Sequence, residues 1–167
     1  VALAGALAVD EEGGFAARPQ WDGSPRETGP LVRQGAHPLV ADAVHRHGRG
    51  LLARQLARLV ELAALPAALN PEGGGAPARD APAPGTGLGT VEAARGRLDH
   101  YAELAGDTVR RYRILAPTEW NFHPRGALAE GLAGERVPAG ETAESAARLL
   151  VEAVDPCVAC EVEVTNA

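Results

Sequence analysis

Residues 97–115 read RLDHYAELAGDTVRRYRIL and contain two short runs in which polar and apolar residues partly alternate. Ala105-Gly106-Asp107 separates the two runs. Alternation with a period of two is typical of half-buried strands, and a short turn that contains glycine joins antiparallel neighbours. The stretch therefore predicts a β-hairpin, which forms a small antiparallel β layer.

Apolar residues on either side of the hairpin follow a helical period instead. Leucine, valine and alanine recur at helical spacing over residues 38–66, where Gly48 and Gly50 are expected to kink or split the helix. A second helix is predicted over residues 142–154, with Thr142 as its N-cap and an Asp-Pro pair at its end. The predicted fold class is mainly α with a small antiparallel β layer (α+β).

A segment of low complexity lies between the first long helix and the hairpin. Residues 70–89 read NPEGGGAPARDAPAPGTGLG, with Leu88 as the single large apolar residue. Such a segment buries too little surface to offset the entropy lost on ordering, so it predicts a flexible linker inside a single domain spanning residues 1–167. The chain contains no Met, which favours its interpretation as the C-terminal part of a longer product.

Charge and composition exclude some classes of function. The 16 basic and 22 acidic residues are interspersed and give a formal net charge of -6, which argues against a nucleic-acid interface. The opening apolar stretch VALAGALAV is too short to cross a bilayer and lacks the pattern of a secretory signal, so no membrane span is expected. A chain with two closely spaced cysteines and no other fits a reducing cytosol, and we expect a cytoplasmic location.

Those two cysteines, Cys157 and Cys160, are separated by two residues in the run DPCVAC. Two thiolates at this spacing can turn toward one soft metal ion, although they supply only half of a tetrahedral site. Two other interpretations fit the spacing: a redox-active pair, which would expect a thioredoxin-like context, and two buried thiols without a ligand.

Residues 116–126, APTEWNFHPRG, are rich in proline and in hydrogen-bonding side chains. We predict a structural loop that depends on Pro117, Trp120, Asn121 and His123. An aromatic residue such as Trp120 is most simply part of the core, and His123 is more often a satisfied loop histidine than a metal ligand.

Arg95 lies beside a glycine in the run VEAARG, residues 91–96, just before the hairpin. A guanidinium group at a turn can donate hydrogen bonds to an anionic ligand. Taken alone the pattern is a weak signal, because an exposed arginine beside a turn is usually only a solvated charge.

Four stretches taken in chain order resemble successive blocks of the large subunit of nickel-dependent hydrogenases. They are GSPRETGPLVR at residues 23–33, VEAARGRLDHYAEL at 91–104, YRILAPTEWNFHPRG at 112–126 and DPCVAC at 155–160. The resemblance implies a fold like the C-terminal portion of that subunit, with the terminal cysteines brought inside the protein.

The resemblance also implies roles for four residues. Cys157 would be a terminal thiolate ligand of nickel, and Cys160 would bridge nickel to an iron that carries carbonyl and cyanide ligands. Arg95 would lie over these diatomic ligands, and Asp155 would orient neighbouring donors. Arginine donating to anionic cyanide and a carboxylate orienting a donor are both chemically reasonable.

Three departures from the catalytic members direct the functional prediction. No cysteine occurs outside the terminal pair, Glu163 replaces the histidine at the expected processing point, and Glu119 replaces a small hydroxyl residue. We therefore expect no C-terminal cleavage. The variant block resembles the HupK/HoxV group of hydrogenase expression and formation proteins, which implies a non-catalytic scaffold.

The resemblance implies that such a scaffold holds an Fe(CN)2CO unit transiently before its transfer to the true large subunit, and it leaves nickel binding undecided. Expected partners are a HypC-type maturation chaperone, other hydrogenase accessory proteins and the hydrogenase large subunit. Two alternatives stay open: a C-terminal fragment of a catalytic hydrogenase, and a metal-free docking protein for accessory factors.

Overall fold

The computed structural model describes residues 3–69, 78–81, 83–134 and 142–165, which form helices and a four-stranded sheet. The helices are α1 (Leu3–Val9), α2 (Gly14–Ala17), α3 (Pro30–Arg33), α4 (Pro38–His47), α5 (Leu51–Ala68), α6 (Pro117–Asn121), α7 (Ala127–Gly134) and α8 (Ala143–Val154). The strands are β1 (Ala78–Asp80), β2 (Thr86–Ala93), β3 (Gly96–Ala105) and β4 (Thr108–Leu115). The predicted fold class is confirmed. None of the described helices is both long and apolar enough to cross a membrane.

The sheet is fully antiparallel, with its strands in the order β1-β2-β3-β4. The predicted hairpin is confirmed: β3 and β4 meet at a tight turn in which Ala105 pairs with Thr108 and Gly106 has a φ of 59°. An L-residue with a side chain is strained at such a positive φ, so glycine suits this position. The hairpin places its buried residues on one face of the sheet.

That face of the sheet packs against the N-terminal helix. Leu88, Tyr101 and Leu115 from three adjacent strands contact the residues of α1, and Trp120 of α6 closes the same group. We call this group, which also includes Leu3, Ala4 and Leu7, the sheet cluster. It fixes α6, and therefore the loop that follows β4, against the sheet.

The predicted long helix is split as expected, because Gly48 has a φ of 71° and ends α4. α5 begins at Leu51 and continues two residues beyond Pro66. The predicted end near Pro66 is therefore confirmed to within two residues: proline removes only one backbone donor, which is a small loss in the last turn. Leu31, Val40, Ala43, Ala53 and Ala57 form a second buried group, the α3–α5 cluster.

The predicted C-terminal helix is also confirmed. The Thr142 hydroxyl accepts a hydrogen bond of 3.1 Å from the Ser145 backbone N–H, as an N-cap should. Leu150 and Val154 of α8 pack against Leu128 of α7 in a third group, the α7–α8 cluster. α8 ends at Val154, and the next residue, Asp155, has a φ of 60° that turns the chain away from the helix axis.

The predicted flexible linker over residues 70–89 is wrong in its second half. Residues 78–80 form β1, and residues 86–89 are the start of β2. Pairing with a neighbouring strand satisfies the backbone of these small residues, and Leu88 enters the sheet cluster. Residues 70–77 lie outside the described residues, and the single domain spanning residues 1–167 stays a prediction.

Candidate functional site

All four sequence blocks named above meet around one small cavity. Its volume is about 20 Å³, which is room for roughly one water molecule. The blocks contribute, among others, Thr28, Arg95, Asn121 and Asp155, and α5 adds Arg58. Residues that are far apart in sequence are therefore brought together where the segment that carries Cys157 and Cys160 begins. We call residues 156–160 the cysteine segment.

Arg95 and Asp155 form an ion pair at the mouth of this cavity. Arg95 lies on the turn between β2 and β3, and its Nε is 3.2 Å from Oδ2 of Asp155, which directly follows α8. Both side chains are partly exposed. The two residues that the resemblance assigned to the surroundings of a metal unit are thus direct neighbours.

Arg58 is a third charged residue beside Arg95 and Asp155, and the sequence did not predict it. Its Nη2 is 3.1 Å from the same Asp155 Oδ2, and its Nη1 donates to the Glu152 carbonyl at 3.2 Å. Arg58 therefore ties α5 to the end of α8, where the cysteine segment departs. One sequence pattern could have indicated Arg58: it lies four residues after Arg54, on one face of a largely apolar helix.

The turn that carries Arg95 is held by a chain of hydrogen bonds. The Asn121 side chain is 4% exposed. It accepts from the Thr28 backbone N–H at 2.8 Å and donates to the Thr28 carbonyl at 3.0 Å. The Thr28 hydroxyl in turn accepts from the backbone N–H of Arg97 at 2.9 Å. Asn121 therefore positions Thr28, and Thr28 positions the turn.

Arg33 fixes the same turn from the other side. Its guanidinium donates to the Ala94 carbonyl at 2.9 Å, to Glu92 at 3.0 Å and to both carboxylate oxygens of Glu61. The hydrogen bonds that Arg33 donates to Glu61 raise the pKa of Arg33 and lower the pKa of Glu61. Both groups therefore stay charged at neutral pH, and α3, α5 and the turn remain joined.

An ion pair between the buried Arg54 and the partly buried Glu27 also lines the cavity. Arg54 is 4% exposed, and its guanidinium donates to Glu27 at 2.9 and 3.1 Å. A second donor of Arg54 binds the Arg49 carbonyl. Three guanidinium groups and two carboxylates thus line the cavity, and this leaves an excess of positive charge that favours an anionic ligand at its mouth.

The cysteines lie outside this cavity. Cys157 and Cys160 are both free thiols and both exposed, and no helix or strand occurs between residues 156 and 165. The prediction that they are brought inside the protein is wrong. The physical reason is space, since a cavity with room for about one water molecule cannot accept two side chains.

The donor set of the described residues fits a loosely held metal unit. Two thiolates at this spacing can bind one soft metal ion. No group of three or more His, Cys, Asp and Glu side chains that could bind a metal occurs within residues 3–69, 78–81, 83–134 and 142–165. A metal held by this pair would therefore have an open, two-ligand site rather than a closed structural one.

The other residues of the predicted loop are placed as follows. Pro117 and Trp120 are buried in α6, and Trp120 belongs to the sheet cluster. His123 is buried, and its Nδ1 accepts from the Arg125 N–H at 3.0 Å. Burial, aided by the charges of Arg125 and Arg18, lowers the pKa of His123, so its ring is neutral. Within the described part of the chain, its Nε2 has no hydrogen-bond partner.

Glu119 has a structural role here. Its carboxylate accepts from the Ala116 backbone N–H at 2.8 Å and so satisfies a free donor at the start of α6. It does not line the cavity. The departure from a small hydroxyl residue at this position is therefore explained by helix capping.

The family follows from comparison with known proteins. The model of the family described as nickel-dependent hydrogenase matches residues 75–163, just over half of the chain. The chain belongs to the nickel-dependent hydrogenase family. The resemblance of the four blocks is thus confirmed at the level of the family.

Two curated relatives of this family member are hydrogenase expression/formation proteins. HupK from Rhizobium leguminosarum is 40% identical over 161 residues, which cover 94% of this chain and 43% of the relative. HoxV from Cupriavidus necator is 38% identical over 165 residues, which cover 91% of this chain and 41% of the relative. The chain therefore spans about two fifths of the length of these relatives.

A solved structure supports the fold. The Ni-Fe-Se hydrogenase from D. vulgaris Hildenborough superposes with a TM-score of 0.58 at 26% sequence identity, covering 84% of this chain and 36% of that one. The prediction of a hydrogenase-like fold for part of a longer subunit is confirmed by this similarity.

Proposed function

We propose that the chain is part of a hydrogenase assembly protein that holds an Fe(CN)2CO unit before its transfer to a hydrogenase large subunit. Relatives named hydrogenase expression/formation proteins support an accessory role in hydrogenase formation. The observation that carries the proposal is the Arg58–Asp155–Arg95 cluster at the root of the segment with the two exposed thiols.

The chemistry of the cluster suits this cargo. Cys157 and Cys160, as thiolates, would be the iron ligands. Cyanide ligands carry negative charge, and guanidinium groups such as those of Arg58 and Arg95 are strong donors to anions. Asp155 would hold both guanidinium groups in place. The cavity behind them is too small to enclose the unit, so the cargo would bind at the surface, between the cluster and the cysteine segment.

An open site of two thiolates also suits release. A closed four-ligand site would retain its metal, whereas a two-ligand site leaves coordination positions for a second protein. Exposed thiols are accessible to a HypC-type chaperone that delivers the unit and to the large subunit that receives it. In this proposal the chain is an assembly factor and carries out no hydrogen chemistry.

The test is to express the chain anaerobically with the hydrogenase maturation proteins and to measure its iron, its nickel and its infrared absorption. Bands of metal-bound cyanide and carbonyl, with iron and without nickel, are expected. A Cys157→Ser/Cys160→Ser variant should lose both bands and iron, whereas the surface variant Arg46→Gln should keep them. Stoichiometric nickel would favour a catalytic fragment, and unchanged maturation with the double variant would favour a metal-free docking protein.

A further inference from the structure

Both tryptophans of the chain line a second cavity, which we call the indole cavity. Its walls come from α1, the segment before α3, strands β2 and β3, and α6, and it shares only Glu27 and Thr28 with the small cavity of the candidate site. Its volume is about 240 Å³. An apolar cavity of about 150 Å³ can hold benzene, so the indole cavity has room for a ring with a short substituent.

The two indole rings form a fixed aromatic wall. Trp21 begins a tight turn in which backbone hydrogen bonds of 2.8 and 3.2 Å join it to Ser24. Asp22 and Gly23 have φ values of 51° and 74°, and a type I′ turn requires a positive φ at both central positions. Trp21 is 44% exposed, whereas Trp120 is 6% exposed and belongs to the sheet cluster. The cavity therefore offers an aromatic surface on which a flat ring can stack.

Arg97 is held in the wall of the indole cavity by a buried carboxylate. Its Nε is 3.0 Å from both carboxylate oxygens of Asp99, which is 0% exposed, and its Nη2 donates to the Thr90 hydroxyl at 3.3 Å. These contacts use two of the five N–H donors of an arginine. The remaining donors are held in place without a ligand, so a ligand that accepts from them loses little entropy in ordering the side chain.

The charge of the indole cavity is unbalanced by one. Two lining residues, Glu27 and Glu92, are carboxylates, and each pairs with an arginine outside the cavity. Arg97 pairs with Asp99. Arg26 lines the cavity, is exposed, and forms no ion pair with any residue that the structure describes. Its charge is therefore available to a ligand that carries one negative charge.

We propose that the indole cavity is a binding site for a small aromatic carboxylate. The ring stacks on Trp21, and the carboxylate accepts hydrogen bonds from Arg26 and Arg97, because carboxylates and guanidinium groups match in geometry as well as in charge. A phosphate ester carries nearly two negative charges at neutral pH and so fits the single excess charge less well. Neither Cys157 nor Cys160 lines the cavity, so this site does not depend on the binding of iron.

The experiment is isothermal titration calorimetry of the 167-residue chain with trans-cinnamate, which joins one ring to one carboxylate. One-to-one saturable binding is expected. The neutral trans-cinnamamide and the ringless acetate should each bind at least about tenfold more weakly, because each lacks one of the two recognised groups.

Variants then assign the two groups to their residues. Arg26→Gln should weaken cinnamate binding about tenfold and leave cinnamamide binding unchanged, because only the charged ligand uses the guanidinium. Trp21→Leu should weaken the binding of both. Arg46→Gln removes an exposed arginine that does not line the cavity and should change neither. Arg26→Gln should unfold at the same temperature as the wild type, because Arg26 is exposed.

The iron site is tested separately in the same assay. The Cys157→Ser/Cys160→Ser variant should bind cinnamate as the wild type does, so the two proposals stand or fall independently. Three results would overturn the present one: no saturable binding of cinnamate, equal binding of cinnamate and cinnamamide, or an equal loss of cinnamate binding in Arg26→Gln and Arg46→Gln.

Discussion

Asp155 is shared by two arginines, and this sharing makes it the central residue of the candidate site. One carboxylate oxygen accepts a hydrogen bond of 3.1 Å from Arg58 and forms an ion pair with Arg95 at 3.2 Å. The backbone of Asp155 has a φ of 60°, a conformation that aspartate and asparagine tolerate better than other residues with a side chain. Its charge can therefore be removed without changing the turn.

Asp155→Asn should lower the amount of iron, cyanide and carbonyl that co-purifies with the chain several-fold. The two guanidinium groups lose the anion that holds them beside the cysteine segment. The free energy of unfolding should change by less than about 1 kcal/mol, because partly exposed ion pairs contribute little. Infrared absorption and urea unfolding measure the two effects. Asp42→Asn, which breaks an exposed pair with Arg46, is the control, and equal loss in both variants would contradict the assignment.

Asn121 is a structural residue of the same site. Asn121→Ala leaves the Thr28 backbone N–H and carbonyl without their partner. An unsatisfied buried polar group costs about 1–3 kcal/mol, so urea unfolding should show a loss in that range. Asn121→Asp should recover only part of it, because a carboxylate accepts from the N–H but cannot donate to the carbonyl. A variant as stable as the wild type would show that Thr28 is held by other contacts.

The sequence identified some of these residues and missed others for a physical reason. The proximity of Arg95 and Asp155 was implied by the family resemblance. Arg58 binds a carboxylate 97 positions away, and Asn121 binds a backbone 93 positions away. Local spacing carries no information on such contacts, so an arginine on a helix is indistinguishable from a solvated charge until the fold is known.

Secondary structure elements were easier to predict, because their signals are local. The hairpin has a period of two and a glycine turn, and α8 has a helical period and a capping threonine. The segment at residues 70–89 was misjudged because its strands gain their stability from pairing, β1 with β2 and β2 with β3, and from one buried residue, Leu88. Composition indicates how much apolar surface a segment can bury by itself. It does not indicate the hydrogen bonds and contacts that the segment gains by pairing with a neighbouring strand.

At the N-terminus of α8, the Thr142 cap is testable. Thr142→Ala should lower the free energy of unfolding by about 1 kcal/mol, because the Ser145 backbone N–H loses its acceptor. Urea unfolding measures the change. Ser145→Ala is the matched control, since it keeps the backbone donor and removes a different hydroxyl from the same turn. A loss of equal size in both variants would mean that the first turn of α8 is stabilised in another way.

Across the whole molecule, three separate apolar clusters are joined by polar contacts at the candidate site. Arg33 connects the α3–α5 cluster to the sheet, and Arg58 connects α5 to the end of α8. Asn121 connects α6 to the segment before α3. Arg58 and Asn121, which line the cavity of the candidate site, and Arg33 therefore hold three parts of the fold together.

The Arg33–Glu61 contact tests this arrangement through its dependence on pH. Arg33 lowers the pKa of Glu61 below its ordinary value of 4.5 in the folded protein. The unfolded chain therefore binds the proton more tightly. The stabilisation is complete above the unfolded pKa, and it is lost as the pH falls through the lower folded pKa.

Glu61→Gln should thus reduce the free energy of unfolding by about 1–2 kcal/mol near neutral pH, because a hydrogen-bonded and mostly buried charge pair is removed. The difference from the wild type should shrink as the pH is lowered through the acid range. Urea unfolding at a series of pH values measures both effects. Glu144→Gln, which breaks the exposed pair with Arg148 within α8, should change stability by no more than about 0.5 kcal/mol at any of them. If the difference in the free energy of unfolding stays constant with pH, Glu61 acts by packing. The Arg33–Glu61 contact between α3 and α5 would then contribute no charge-dependent stability.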